Sequence, residues 1–157
     1  MSESTIAWLT FAAALSTGLS AGIFFAFSNS VMTALGRVPA AAGIAAMQQV
    51  NAVIQNPLFF LVFFGPALLS VVLIAAALLG WGGGGWTIAA GLLYLAGIMA
   101  VTIVVNVPMN QALEAVDPAS AAGAALWADY LARWTFWNHV RTASGAGALA
   151  CYLLALR

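Results

Sequence analysis

The sequence predicts an all-α integral membrane protein: a four-transmembrane-helix bundle with short interfacial helices in the first-to-second and third-to-fourth connections. Three observations point there. Of 157 residues, 64% are hydrophobic and 5% are charged, against ~25% charged in an ordinary soluble domain. Four apolar runs each reach the ~20 residues that a membrane helix needs. The breaks between those runs carry the Gly, Pro and Asn residues that end and restart helices. Four arginines balance four carboxylates, and lysine is absent. This excludes nucleic acid as a partner and a polybasic tail for lipid headgroups. Cys151 is the single cysteine, so no intramolecular disulfide is available.

One domain covers residues 1–157, with spans at about 5–35, 57–79, 86–107 and 136–156. The first run has Glu3 where a signal peptide would carry cations, and it is too long for a signal h-region. It is therefore expected to be a membrane helix. Within it, Ala14, Gly18 and Gly22 form a row of small residues suited to close helix packing. Gly36-Arg37-Val38-Pro39 ends this run. Residues 40–53, with Gln48, Gln49 and Asn51, are too short to span and are expected to lie at the interface or re-enter it.

Asn56-Pro57 is an N-cap followed by proline at the first helical position. The second span starts there, with Pro66 as an expected kink. The glycines of residues 80–86 form a turn between Trp81 and Trp86 and lack the Lys-Ser/Thr pair of a phosphate loop. The third span ends in Asn106-Val107-Pro108-Met109-Asn110. Asp117-Pro118 is expected to cap an interfacial piece over residues 119–134, on which Asp129 and Arg133 form an i,i+4 ion pair and Trp127 and Tyr130 join an interfacial aromatic belt. The last span begins near Trp137. It contains a Gly145–Ala150 stretch that spells a dinucleotide fingerprint without the strand-turn-helix setting that gives one meaning.

This topology gathers Gln48, Asn51, Asn56, Asn106, Asn110, Asn138, His139 and Arg141 at one end of the bundle and leaves the other end nearly free of polar side chains. A one-sided cluster points to a polar pocket between helices. Trp134, Trp137, Asn138 and Arg141 share a narrow helical arc, whereas His139 lies nearly opposite Arg141. One histidine with no carboxylate partner cannot build a metal site, so none is expected, although His139 alone or with Met47 or Met109 could hold haem. The available groups suit proton abstraction from a weakly acidic aromatic or enolisable substrate. In that scheme His139 is the base. Arg141, Asn138 and Asn106 stabilise the oxyanion. Gln48, Asn51 and Asn110 add polar contacts, and Trp134 and Trp137 stack on the ring. Helix capping and snorkelling to headgroups would account for much the same residues without a site.

The segments Gly22–Ser28, Met47–Asn51, Asn56-Pro57, Asn106–Asn110 and Trp134–Arg141 resemble the anthrone oxygenase-like family of small membrane proteins. The resemblance implies a four-helix membrane protein. In some relatives it implies oxidation of an anthrone to an anthraquinone by dioxygen. The acidity of an anthrone makes a base and an oxyanion site sufficient for that chemistry, so no metal or flavin is expected. It carries the shared polar positions onto Gln48, Asn51, Asn106, Asn110, Asn138, His139 and Arg141. Two other readings stay open: a haem- or quinone-binding redox module, and a non-enzymatic protein that binds lipid or a partner through the Gly18/Gly22 row. The expected partners are membrane lipid and a hydrophobic aromatic small molecule, with a homo-oligomer left open. The expected location is the cytoplasmic membrane of a bacterium.

Overall fold

Local signals set most of the helix ends. In the computed structural model, which describes residues 2–157, five continuous helices account for all regular structure among the described residues. They are α1 (Glu3–Leu35), α2 (Ala40–Val53), α3 (Pro57–Leu78), α4 (Gly84–Glu114) and α5 (Ala121–Ala155). Ser2 caps α1 by accepting from the Thr5 amide. Asn56 caps α3 by accepting from the Phe59 amide at 3.0 Å, with Pro57 in the first turn as expected. Gly83, with φ 89°, turns the chain into α4 in a conformation that L side chains rarely adopt. Helices α1, α3 and α4 are long and apolar enough to cross a membrane.

Two expectations from the sequence are corrected. The third span does not stop at Asn106-Val107-Pro108, because α4 continues to Glu114. Its turns over Leu95–Ala100 and again over Thr102–Asn106 widen to π geometry, with the Val107 amide bonded to the Thr102 carbonyl. Pro108 then falls in the first turn after the widening, where a missing N–H is least disruptive. The second correction concerns residues 119–156. No break separates 134 from 137, and α5 is one helix of 35 residues. Its cap is Ser120, which accepts from the Gly123 amide at 2.9 Å, while Asp117 accepts from Ala119 in the preceding turn. Nothing in Arg133–Arg141 breaks a helix, so polarity alone did not mark an end.

The core forms three layers along the helices. Ile6, Ala13, Leu73, Ala90 and Tyr152 pack near the termini and the glycine turn. Phe24, Phe63, Tyr94, Ile98 and Ala148 fill the middle. Met32, Ile44, Met47, Leu113, Trp127, Tyr130 and Trp134 pack at the far end, where α2 closes over α5. Helix α1 packs on α3 and α5, and α4 packs on the same two. The closest approaches use glycines other than the expected pair. A Cβ on Gly145 would meet Ala21 at 2.8 Å, and one on Gly91 would meet Ile74 at 2.7 Å. Gly18 faces Leu149 at ordinary contact distance, and Gly22 has nothing within 4 Å.

Pro66 lies inside α3 and has no N–H to offer the Val62 carbonyl one turn earlier. In a hydrocarbon interior that acceptor needs another donor. Ser20 of α1 supplies it, donating to the Val62 oxygen at 2.7 Å, and the Tyr94 hydroxyl donates to the Phe63 oxygen at 2.7 Å. The proline site thus ties α1, α3 and α4 together. Ser20→Ala should destabilise the protein by about 1 kcal/mol, the usual scale for an interhelical hydrogen bond in a membrane protein. In a Pro66→Ala background, where the restored amide can take the carbonyl, the same substitution should cost less. Reversible unfolding of the two single variants and the double variant measures this coupling.

Candidate functional site

Arg141 lies halfway along α5 and is 4% exposed. Burial of a guanidinium calls for compensating partners. Its Nη2 donates to Asn138 Oδ1 at 2.6 Å and its Nη1 to Thr102 Oγ1 at 3.3 Å. The guanidinium carbon sits 4.4 Å from the ring centre of Phe24 and 5.1 Å from that of Trp134, within cation–π range. Among the described residues the only ion pair is Arg133–Asp129 at 3.2 Å, both exposed, as the sequence suggested. Arg141 therefore has neutral hydrogen-bond partners and no carboxylate.

Asn138 sets this arrangement. It is fully buried, and its Nδ2 donates to the Phe24 carbonyl at 2.6 Å and to Ser28 Oγ at 2.5 Å. These acceptors lie where α1 widens to π geometry over Phe27–Val31. Wide turns occur in both α1 and α4 beside Arg141, at Phe27–Val31 and Thr102–Asn106. Such turns recur at functional sites because they re-aim side chains and expose carbonyls. Here they accompany the inward placement of Ser28 and Asn106.

A cavity of about 580 Å³ opens beside Arg141, bounded by α1, α2, α3, the second half of α4 and α5. Its walls include the aromatic rings of Phe24, Phe27, Phe59, Phe63 and Trp134. Asn51, Thr102, Asn106, Asn110 and Arg141 line it as polar groups. Three of their atoms are buried without a protein partner: Asn106 Oδ1, Arg141 Nε and Asn51 Nδ2. A buried polar atom left unpaired in a cavity is a place for a ligand or water to bind. Asn106 donates weakly to the Trp134 carbonyl at 3.4 Å. Asn110 accepts from both the Tyr130 hydroxyl and the Trp134 indole at 2.8 Å. Burial, the largest influence on Tyr130, raises its pKa above the ordinary tyrosine range and keeps the phenol protonated as a donor.

The structure brings together Asn51, Asn106, Asn110, Trp134 and Arg141 in the cavity lining and keeps four other sequence-expected residues out of it. Gln48 donates to the Leu113 and Val116 carbonyls at 2.9 and 3.1 Å, closing the end of α4. Asn138 acts on the site through Arg141 and does not line the cavity. Trp137 is half-buried, edge-on to Phe136, and outside the lining. His139 is on the exposed face of α5 and lines no cavity described here. It is two positions from Arg141, about 200° around a regular helix, and α5 stays α-helical there. A base on that face lies away from the cavity that Arg141 lines, and a haem held by His139 would lie outside that cavity. Trp127 and Tyr130 are 4% and 1% exposed, stacked in a column with Trp134 rather than placed in an outer belt.

Sequence reasoning missed Ser28, whose hydroxyl receives the Asn138 amide. It passed over Glu114, the one carboxylate lining the cavity, at its exposed rim. It also missed the phenylalanines at the start of α3. Their four-residue spacing, Phe59 to Phe63 and Phe60 to Phe64, was the available signal for an aromatic face. Among the described residues no group of three or more His, Cys, Asp and Glu side chains converges.

The chain matches the family model described as anthrone oxygenase over residues 59–151, more than half of its length, and belongs to that family. No curated protein and no solved structure matched it. The matched region spans α3, α4 and nearly all of α5, and so includes Asn106, Asn110, Asn138 and Arg141.

Asn110 is the single acceptor for two buried donors. Asn110→Ala should leave the Tyr130 hydroxyl and the Trp134 indole unpaired and cost about 1–3 kcal/mol. Asn110→Asp keeps the acceptor and should recover most of that loss. Thermal unfolding of both variants, followed by tryptophan fluorescence, tests the assignment.

Proposed function

We propose that this member of the anthrone oxygenase family is a membrane enzyme of the oxygenase type that holds a flat, enolisable aromatic compound of the anthrone class in the cavity, as its oxyanion against Arg141. The observation that carries the reading is a buried guanidinium with no carboxylate partner, facing a cavity of aromatic rings. An unneutralised buried cation favours an anionic ligand, and a low-polarity surrounding strengthens the attraction. The rings of Phe24, Phe27, Phe63 and Trp134 suit a planar hydrocarbon, and Asn106 and Asn51 each present one unpaired polar atom to its substituents.

The reaction needs no group beyond substrate and dioxygen to balance. Loss of a proton from the benzylic carbon leaves an electron pair conjugated into the carbonyl oxygen, and Arg141 stabilises that charge. The proton leaves through water at the polar rim beside Gln55, Gln111 and Glu114. The carbon then gives its electron pair to dioxygen, forming a C–O bond. The peroxide takes up a proton, and loss of water breaks the O–O bond and the second C–H bond. One oxygen atom ends in the new ketone and the other in water. Asn138 is a positioning residue in this scheme, since it touches Arg141 rather than the ligand.

The same reading places residues 136–156 of α5 in the bilayer as a fourth span beside α1, α3 and α4, with α2 and the first half of α5 near the headgroups at the polar end. The packing of α5 against both α1 and α4 supports this. The cytoplasmic membrane of a bacterium remains the proposed location.

Anthrone oxidation, followed by oxygen uptake and anthraquinone absorbance on detergent-purified protein, tests the proposal. Arg141→Gln should lower turnover by about 10²–10³, the range seen when a transition-state anion donor is removed, while the protein still elutes as a folded species. His139→Ala should leave turnover unchanged. Wild-type activity that survives Arg141→Gln, or is lost in His139→Ala, would overturn the assignment of roles.

A further inference from the structure

The cavity has an apolar side as well as a polar rim. Helices α3 and α4 meet closely at Gly91 and at the Tyr94–Phe63 hydrogen bond. Their packing continues only as far as the turns of Leu95–Ala100, and from Thr102 onward α4 packs on α2 and α5 instead. The two helices therefore diverge toward the polar end, and the cavity lies in the gap. Phe60 and Phe64 border it from α3, and Ile103 and Val107 border it from α4. These four are 40%, 51%, 59% and 37% exposed on helices apolar enough to span a membrane. At the inner end of the same cavity stand Asn106 and Arg141, 1% and 4% exposed, each with an unpaired polar atom.

We propose that the cleft between α3 and α4 is a lateral portal through which a lipophilic aromatic ligand passes directly from the bilayer into the cavity. The inference rests on the reading of this cavity as the ligand site and adds its route of access. A planar hydrocarbon with one ionisable oxygen partitions into lipid, so its local concentration is highest beside Phe60, Phe64, Ile103 and Val107. The portal's apolar lining lets the ring slide in without exposure to water. Its oxygen meets polar partners only on reaching Asn106 and Arg141. The portal therefore selects for membrane-dissolved molecules with a single polar edge and disfavours those carrying charge on both ends, which would have to be desolvated in the cleft.

The experiment uses the full chain in lipid vesicles with Cys151→Ala as background. A single thiol is placed in the cavity by Phe63→Cys, and separately by Phe24→Cys in case one variant fails to fold. The probe is a pyrene maleimide dissolved in the bilayer, and the readout is the labelling rate. Adding Ile103→Trp to block the portal should slow labelling roughly tenfold, as expected when an access path must open before binding. Val104→Trp, at a position 71% exposed that does not line the cavity, should not slow it. Equal slowing by both blocks, or by neither, would overturn the portal. Protection of the thiol by anthrone is measured in the same samples. Slowing by Ile103→Trp alone without anthrone protection would leave the portal standing and refute the proposed ligand class, so the two failures are distinguishable.

Discussion

The burial of one guanidinium without a carboxylate is the constraint on which the polar half of this protein depends. A charge in a low-polarity interior must be met by oriented dipoles or by the faces of aromatic rings. Arg141 is met by both, with Asn138 and Thr102 on one side and Phe24 and Trp134 on the other. Asn138 can present its oxygen to Arg141 only because its nitrogen is held by the Phe24 carbonyl and Ser28. That carbonyl lies next to the wide turn of α1. Thr102 opens the wide turn of α4. Three helices are thus adjusted to one side chain, and the Nε atom is left over.

The rest of the fold solves the same problem of unpaired polar groups without charge. Pro66 frees a carbonyl, and a serine of the neighbouring helix takes it. Ser70 donates to the Pro66 carbonyl at 2.6 Å and lies 2.9 Å from the Tyr152 hydroxyl. These bonds link helices near the termini and in the middle, where small residues such as Gly91 and Gly145 let backbones approach. Toward the polar end α3 and α4 part, and aromatic side chains of α3 border the gap.

This division bears on chemistry. In the proposed reading, a cavity with one buried cation, several carboxamides, a carboxylate at its exposed rim and hydrocarbon walls favours a delocalised anion. That suits substrates already reactive once ionised, for which placing the charge and excluding bulk water are the main tasks. The oxygenase family to which the chain belongs is compatible with such a minimal site. In the proposed reaction, the outward position of His139 leaves no imidazole at the cavity, so proton loss rests on the acidity of the substrate.

Features decided by neighbouring residues were legible in the sequence. Composition and run length marked the apolar helices, Asn56-Pro57 marked the start of α3, and the bounds of α2 followed from Pro39 and the Asn56-Pro57 cap. The near-opposition of His139 and Arg141 followed from 100° per residue alone. Other features depended on partners far along the chain. The wide turns at Phe27–Val31 and Thr102–Asn106 lie where Asn138 and Arg141 approach, more than 30 residues away in sequence for α4 and more than 100 for α1, while the wide turn at Leu95–Ala100 has no such partner. The continuity of α5 through Arg133–Arg141 was hidden because polar residues there suggested a boundary, when they in fact face α1, the cavity or the outer surface on a helix that nothing interrupts. Which of the expected residues line the cavity was a question of rotation and packing, so Gln48 became a cap for α4 and Asn110 an anchor for two aromatic donors. Local chemistry determined where helices begin and how apolar they are. Only the packing of those helices decided which polar atoms were satisfied by protein and which were left unpaired beside the cavity.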